Sequence, residues 1–102
     1  MIERIICAAI WYKQQKDAIH RPINLESGVC VSGLDHAQCI HITNSLLGTR
    51  MFEQGEHVQG FLTNLNRFVD RKEGLKIAIE QNQIIKKHGS ENILFSEDLL
   101  FD

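Results

Sequence analysis

Arg67, Arg71 and Lys72 stand together where the chain changes from a strand pattern to a helix pattern, and they are the residues best suited to bind something. The first turn of a helix already carries partial positive charge on its unpaired amides, so cations there are disfavoured unless something compensates. An anion would compensate, because helix amides and a guanidinium fork together make a phosphate site. The plainer reading is that Asp70 and Glu73 neutralise the basic side chains locally and water does the rest. Gln59, Phe61 and Thr63 precede these cations on an alternating segment. An aromatic ring, an amide and arginine suit a nucleotide better than a metal or a sugar.

Other constellations carry less. Cys30, His36, Cys39 and His41 include metal-ligating types, but only His36 and Cys39 share a helix face at i,i+3, and half of a zinc set is missing. The same pair as nucleophile and base would need a third orienting group, and none is indicated. The chain has no G-x-S-x-G, H-E-x-x-H or P-loop motif. The expectation is a binding protein and not an enzyme, with no cofactor and no metal. Trp11 and Tyr12 are either caps on the core or rings for a base to stack on.

The elements that position these residues are readable in outline. Residues 4–12 are apolar and rich in β-branched and aromatic types, which predicts a central strand buried on both faces. Residues 13–27 are polar and irregular and hold the single proline, Pro22, so a long loop is expected, with a helical turn near Gln14 to Ala18. Gly28 to Gly33 reads as a short strand bracketed by glycines. A helix follows from about His36 to Leu47, with Ala37, Ile40, Ile42, Leu46 and Leu47 inward, His36, Gln38 and Thr43 partly outward, and Gly48 as its stop. Thr49 to Glu56 is a polar connection.

His57 to Thr63 alternates with a period of two, and Asn64-Leu65-Asn66 supplies turn chemistry before a return strand, Arg67-Phe68-Val69. Asp70 and Glu73 form a capping-box pattern, with Glu73 reaching back to the Asp70 amide. The helix they open has Leu75, Ala78 and Ile79 on one face and closes at Asn82, or continues through Gln83 to Lys87 until His88-Gly89-Ser90 breaks it. Asn92 to Phe95 is a short apolar segment. Ser96 then caps a single turn that carries Glu97 and Asp98. The sum is one α+β domain over residues 1–102, a small mostly antiparallel sheet packed with two main helices.

Bulk composition narrows the partners. A net charge of −2 on 102 residues leaves no broad basic face for duplex nucleic acid or an anionic membrane. No apolar run approaches the ~18 residues of a membrane span. Three widely spaced cysteines fit a reducing compartment, so a cytoplasmic location is expected.

Several motifs together resemble a known family. They are Cys7-Ala8-Ala9-Ile10-x-Tyr12, Gly33-x-x-His36 heading a helix, Gly60-Phe61-Leu62-Thr63 through Arg67-Phe68-Val69-Asp70-Arg71-x-Glu73, and Ser96-Glu97-Asp98-Leu99. The pattern, which covers nearly the whole chain, is similar to the first Thoeris anti-defence family of phage proteins, sponges that sequester cyclic-nucleotide immune signals. The resemblance implies a cytoplasmic protein of an infected bacterial host, a homodimer or a hexamer of dimers. Its ligands would be cyclic ADP-ribose isomers and cyclic di- or trinucleotides, held intact. On matching positions it implies Arg67 and Arg71 as phosphate ligands, Phe61 or Phe68 as the stacking ring, and Thr63 and Asn64 on ribose or base edges. His36 lies in the helix-heading motif, and Asp35 departs from the arginine that family sequences often show there. A carboxylate at that place repels phosphate. The alternative from another class is a protein-interaction module that inhibits a host factor by contact, through Trp11, Tyr12, the long loop and the acidic tail.

Overall fold

The apolar run Ile5–Tyr12 forms β1 and lies inside the sheet, as its burial potential requires. The structure, a computed structural model, describes residues 2–13, 21–47, 56–85, 87 and 91–99. Three further strands, β2 (Val29–Gly33), β3 (His57–Thr63) and β4 (Phe68–Asp70), complete a sheet of order β2-β1-β3-β4. Every neighbouring pair is antiparallel. Two helices, α1 (His36–Leu47) and α2 (Arg71–Glu80), and one 3-10 turn (Ser96–Asp98) accompany it. This is the α+β architecture expected.

Period-two alternation sorts the strands' side chains onto two faces. On one, Ala8, Ile10, Tyr12, Phe61 and Val69 meet Cys39 of α1, Leu75 and Ala78 of α2, and Leu94. On the other, Ala9 and Phe68 pack with Leu25, flanked by Trp11 and Leu62. β1 is therefore buried on both faces from Ala8 onward, whereas Ile6 is exposed. Gly28, at φ +81°, turns the chain into β2 where a side chain would strike the Tyr12 carbonyl.

Several details differ from the sequence reading. His36 and Thr43 face inward and Ala37 and Leu46 outward, because inward polar groups find partners. The Thr43 hydroxyl donates to the Cys39 carbonyl at 2.8 Å and accepts from the Tyr12 hydroxyl at 3.0 Å. In α2, Leu75 and Ala78 are buried as expected, but Ile79 is exposed and Ile77 is buried with them instead. The Asp70 carboxylate does accept the Glu73 amide at 2.8 Å, but the Glu73 carboxylate takes Arg67 instead of reaching back. α2 ends at Glu80 and does not run on to Lys87; Asn82 adopts the left-handed conformation, φ 53°. At the last turn the capping is done by Asp98, whose carboxylate accepts the Phe95 amide at 2.9 Å, while Ser96 turns to His36. The expected turn near Gln14 to Ala18, the Gly48 stop, nearly all of the Thr49 to Glu56 connection and the break at His88 to Ser90 lie outside the described residues.

Side-chain amides finish the ends of the sheet. Gln83 accepts the Ile5 N–H at 2.9 Å and donates to the Ile5 carbonyl at 2.7 Å. Asn24 does the same for Phe68, at 2.8 and 2.6 Å. Each primary amide imitates one residue of a neighbouring strand.

Candidate functional site

Arg71 is the first residue of α2, and β4 delivers it there without a connecting loop. Its guanidinium is held on three sides. Nη2 donates to Gln59 Oε1 at 2.6 Å, Nη1 donates to the Leu94 carbonyl at 2.8 Å, and the group lies 5.2 Å from the centre of the Phe95 ring. The Leu94 amide in turn donates to the Arg71 carbonyl at 2.9 Å, so the C-terminal segment is pinned to the head of α2. The Arg71 side chain is half-buried, its hydrogen-bond acceptors are neutral, and no carboxylate among the described residues forms an ion pair with it. Burial pulls its pKa below the ordinary arginine value, opposed by the more distant charges of Glu97 and Asp98. A cation is thus placed at a helix N-terminus without a direct counter-charge.

His36 closes the other side of this region. A carbonyl can only accept, so the Nε2 that lies 2.8 Å from the Gly60 oxygen carries the proton in the neutral ring. Nδ1 is then an acceptor for the Ser96 hydroxyl at 3.2 Å, and the Ser96 oxygen faces the His36 amide at 3.4 Å. The ring packs edge-on against Phe61, centroids 5.0 Å apart. Desolvation holds the His36 pKa below its ordinary value, with Arg71 adding to the effect and the Gly60 bond, Glu97 and Asp35 opposing it. Gly60 is required for this arrangement, since a side chain there would run into the Val69 carbonyl and the Phe68 ring.

The remaining candidates fall into separate settings. Arg67 is clamped: Nε and Nη2 grip the Glu3 carboxylate at 2.8 and 3.0 Å, and Nη2 also reaches Glu73 at 2.9 Å. These bonds, to Glu3 first, raise the Arg67 pKa and lower that of Glu3. Thr63 is buried and donates to the same Glu3 at 2.7 Å. Asn64 bonds the N-terminal backbone, accepting from Arg4 N–H at 2.6 Å and donating to the Ile2 carbonyl at 2.9 Å. Phe61 has no exposed surface, and Phe68 lies on the opposite face of the sheet, tilted against Trp11. Arg67 and Arg71 share no partner. The structure brings Gln59, Arg71, His36 and the backbone of Gly60 towards one region, and puts Arg67, Thr63 and Asn64 in another.

Sequence reasoning missed Phe95, Lys87 and the Leu94 carbonyl. Lys87 also lies 5.2 Å from the Phe95 ring and donates to the fully buried Asp98 carboxylate at 2.7 Å. An acid followed by apolar residues reads as a docking turn, and only the fold shows that it docks against Arg71. Asp35 has a local task, since its carboxylate accepts the Gln38 amide at 2.7 Å and caps α1. Burial pushes the Cys39 thiol up to about 11 and Cys30 up to about 12, the opposite of activated nucleophiles. Among the described residues, no three of His, Cys, Asp and Glu converge as metal ligands.

These features define a small α+β protein in which the half-buried Arg71 guanidinium, without an ion pair among the described residues, sits where a helix, a strand and the C-terminal segment meet. A family model described as phage T4 y16D protein matches residues 4–100, and the chain belongs to that family of phage proteins. No curated protein and no solved structure matches it. Among the described residues, no helix is long and apolar enough to cross a membrane.

Proposed function

We propose that this phage protein captures cyclic-nucleotide immune signals, cyclic ADP-ribose isomers or cyclic di- and trinucleotides, and holds them without cleavage in the cytoplasm of an infected bacterial host. The observation that carries this reading is the meeting of three motifs distant in sequence. Gly33-x-x-His36, Gly60 through Glu73 and Ser96 through Leu99 come together through the bonds of His36 to Gly60 and Ser96, and Arg71 of the second motif bonds Gln59 and Leu94, which border the second and third. At that meeting point a ligand phosphate would supply the counter-charge that Arg71 lacks. Arg67 already has two carboxylates, so in this reading it braces the hairpin and Arg71 takes the anion.

One charge-assisted contact contributes about 1.5–3 kcal/mol, whereas nanomolar capture needs about 12 kcal/mol. A second copy of the chain closing over the site, as dimer or hexamer, would supply the enclosure and stacking surface that make up the difference. Calorimetry of the purified protein against cyclic ADP-ribose isomers, cyclic dinucleotides and cyclic trinucleotides tests this, followed by heating and chromatography of the released ligand. Tight binding with intact release is expected, and Arg71→Ala should weaken it about 10- to 100-fold. No heat with any of these ligands would overturn the reading in favour of a module that inhibits a host factor by contact. Release of a cleaved product would show an enzyme.

A further inference from the structure

A cleft of about 290 Å³ opens at the start of β1, away from the Arg71 contacts. Its most buried lining residues are Ala8 and Phe61, and Leu34, Ile6 and Ile85 also line it, exposed by 73, 60 and 51%. Single exposed aliphatic residues are ordinary, but three around one cavity form a patch. Arg4 also lines the cleft, and among the described residues its guanidinium has neither an ion pair nor a hydrogen bond.

The chain's own C-terminal turn arrives at this place. The Ile85 amide donates to the Asp98 carbonyl at 2.9 Å, which fastens the turn to the rim, and Leu99, the next residue, lines the cleft. From Leu99 the sequence goes on as Leu100-Phe101-Asp102, beyond the described residues. Three residues span about 10 Å when extended, enough to cross to Arg4 at the start of β1. They carry a ring and, next to it, a carboxylate, which are the complements of an apolar space and a guanidinium. An apolar cavity of about 150 Å³ already admits benzene, so this cleft has room for a phenyl ring. We propose that residues 100–102 are a strap that seats the Phe101 ring in the cleft, covers the aliphatic rim and brings Asp102 to Arg4. The tether decides between this occupant and a separate one. A short flexible tether gives an effective concentration in the millimolar range, so a free molecule or a foreign side chain must bind more tightly than that to take the place of a ring attached through Leu99.

NMR of the unaltered protein tests the seat directly. NOEs should run from the Phe101 ring to the methyl groups of Ile6, Leu34 and Ile85, and the ring current should move those methyls upfield. Phe101→Ala should undo the upfield shifts and open the cleft to N-acetylphenylalanine, a free substitute for the strap, which the unaltered protein should bind about ten-fold more weakly or not at all. Asp102→Asn should move the Arg4 Nε–H resonance. Absence of the NOEs, or methyl shifts that Phe101→Ala leaves in place, would overturn the proposal. So would equal binding of N-acetylphenylalanine by both proteins, because the cleft would then be open to a separate ligand. In a mixture of isotope-labelled and unlabelled chains, NOEs between the two would place the ring in the cleft of a second copy and overturn it as well. Capture of cyclic nucleotides could fail without touching this result, since neither Arg71 nor Gln59 lines the cleft.

Discussion

Two arginines four residues apart have opposite situations, and the difference lies in what surrounds each charge. Arg67 is satisfied by Glu3 and Glu73, so Arg67→Ala should cost stability, about 1 kcal/mol by urea denaturation, and leave ligand affinity nearly unchanged. Arg71 has neutral partners, so Arg71→Ala should lower ligand affinity and also cost stability through the lost tie to Leu94. His36 is the residue through which acid acts. Its folded pKa lies below the ordinary 6.5, so as pH falls through that value the unfolded chain takes up a proton first. Stability is therefore full above about pH 6.5 and declines below it, and the urea midpoint should drop between about pH 7 and pH 5. In His36→Leu the protein starts less stable, but this part of the pH dependence disappears. An equal drop in both proteins would remove His36 as its source.

At the scale of elements, local signals that need no partner were legible and phases that depend on one were not. The alternation of His57 to Thr63, the turn residues and the Asp70 cap all act within a few positions, and each is where the pattern puts it. Asp70→Ala should cost about 1 kcal/mol, read as a lower thermal midpoint. The inward face of α1 was misread because Thr43 and His36 are buried by partners on β1, β3 and the C-terminal turn, from 24 to 60 residues away. Likewise Gln83 reads as one more helical residue until Ile5, 78 positions earlier, comes within reach. Gly60→Ala tests the tightest point of the sheet, and overpacking between β3 and β4 should cost about 1–3 kcal/mol. The candidate site was half legible: the cation at the helix head follows from sequence, but its partners on the C-terminal segment do not.

For the molecule as a whole, the hairpin and α2 act as the frame on which both chain ends are hung. Glu3 reaches Arg67, and Leu94 reaches Arg71, so the N-terminal and C-terminal segments are tied to opposite ends of one short stretch. Asp98→Asn should loosen the second tie, since Lys87 would then face a neutral amide and the Phe95 ring would lose its fixed place. Faster amide exchange at Leu94 and Phe95, with β1 unchanged, would report it. The surrogate-strand amides have a consequence in time. Deamidation of Asn24 would put a carboxylate oxygen where an N–H now meets the Phe68 carbonyl, and Gln83 carries the same liability at Ile5. Ageing of the purified protein would then lift the caps from the sheet one by one and expose strand backbone that templates aggregation. The shelf life of the fold is written into two side-chain amides.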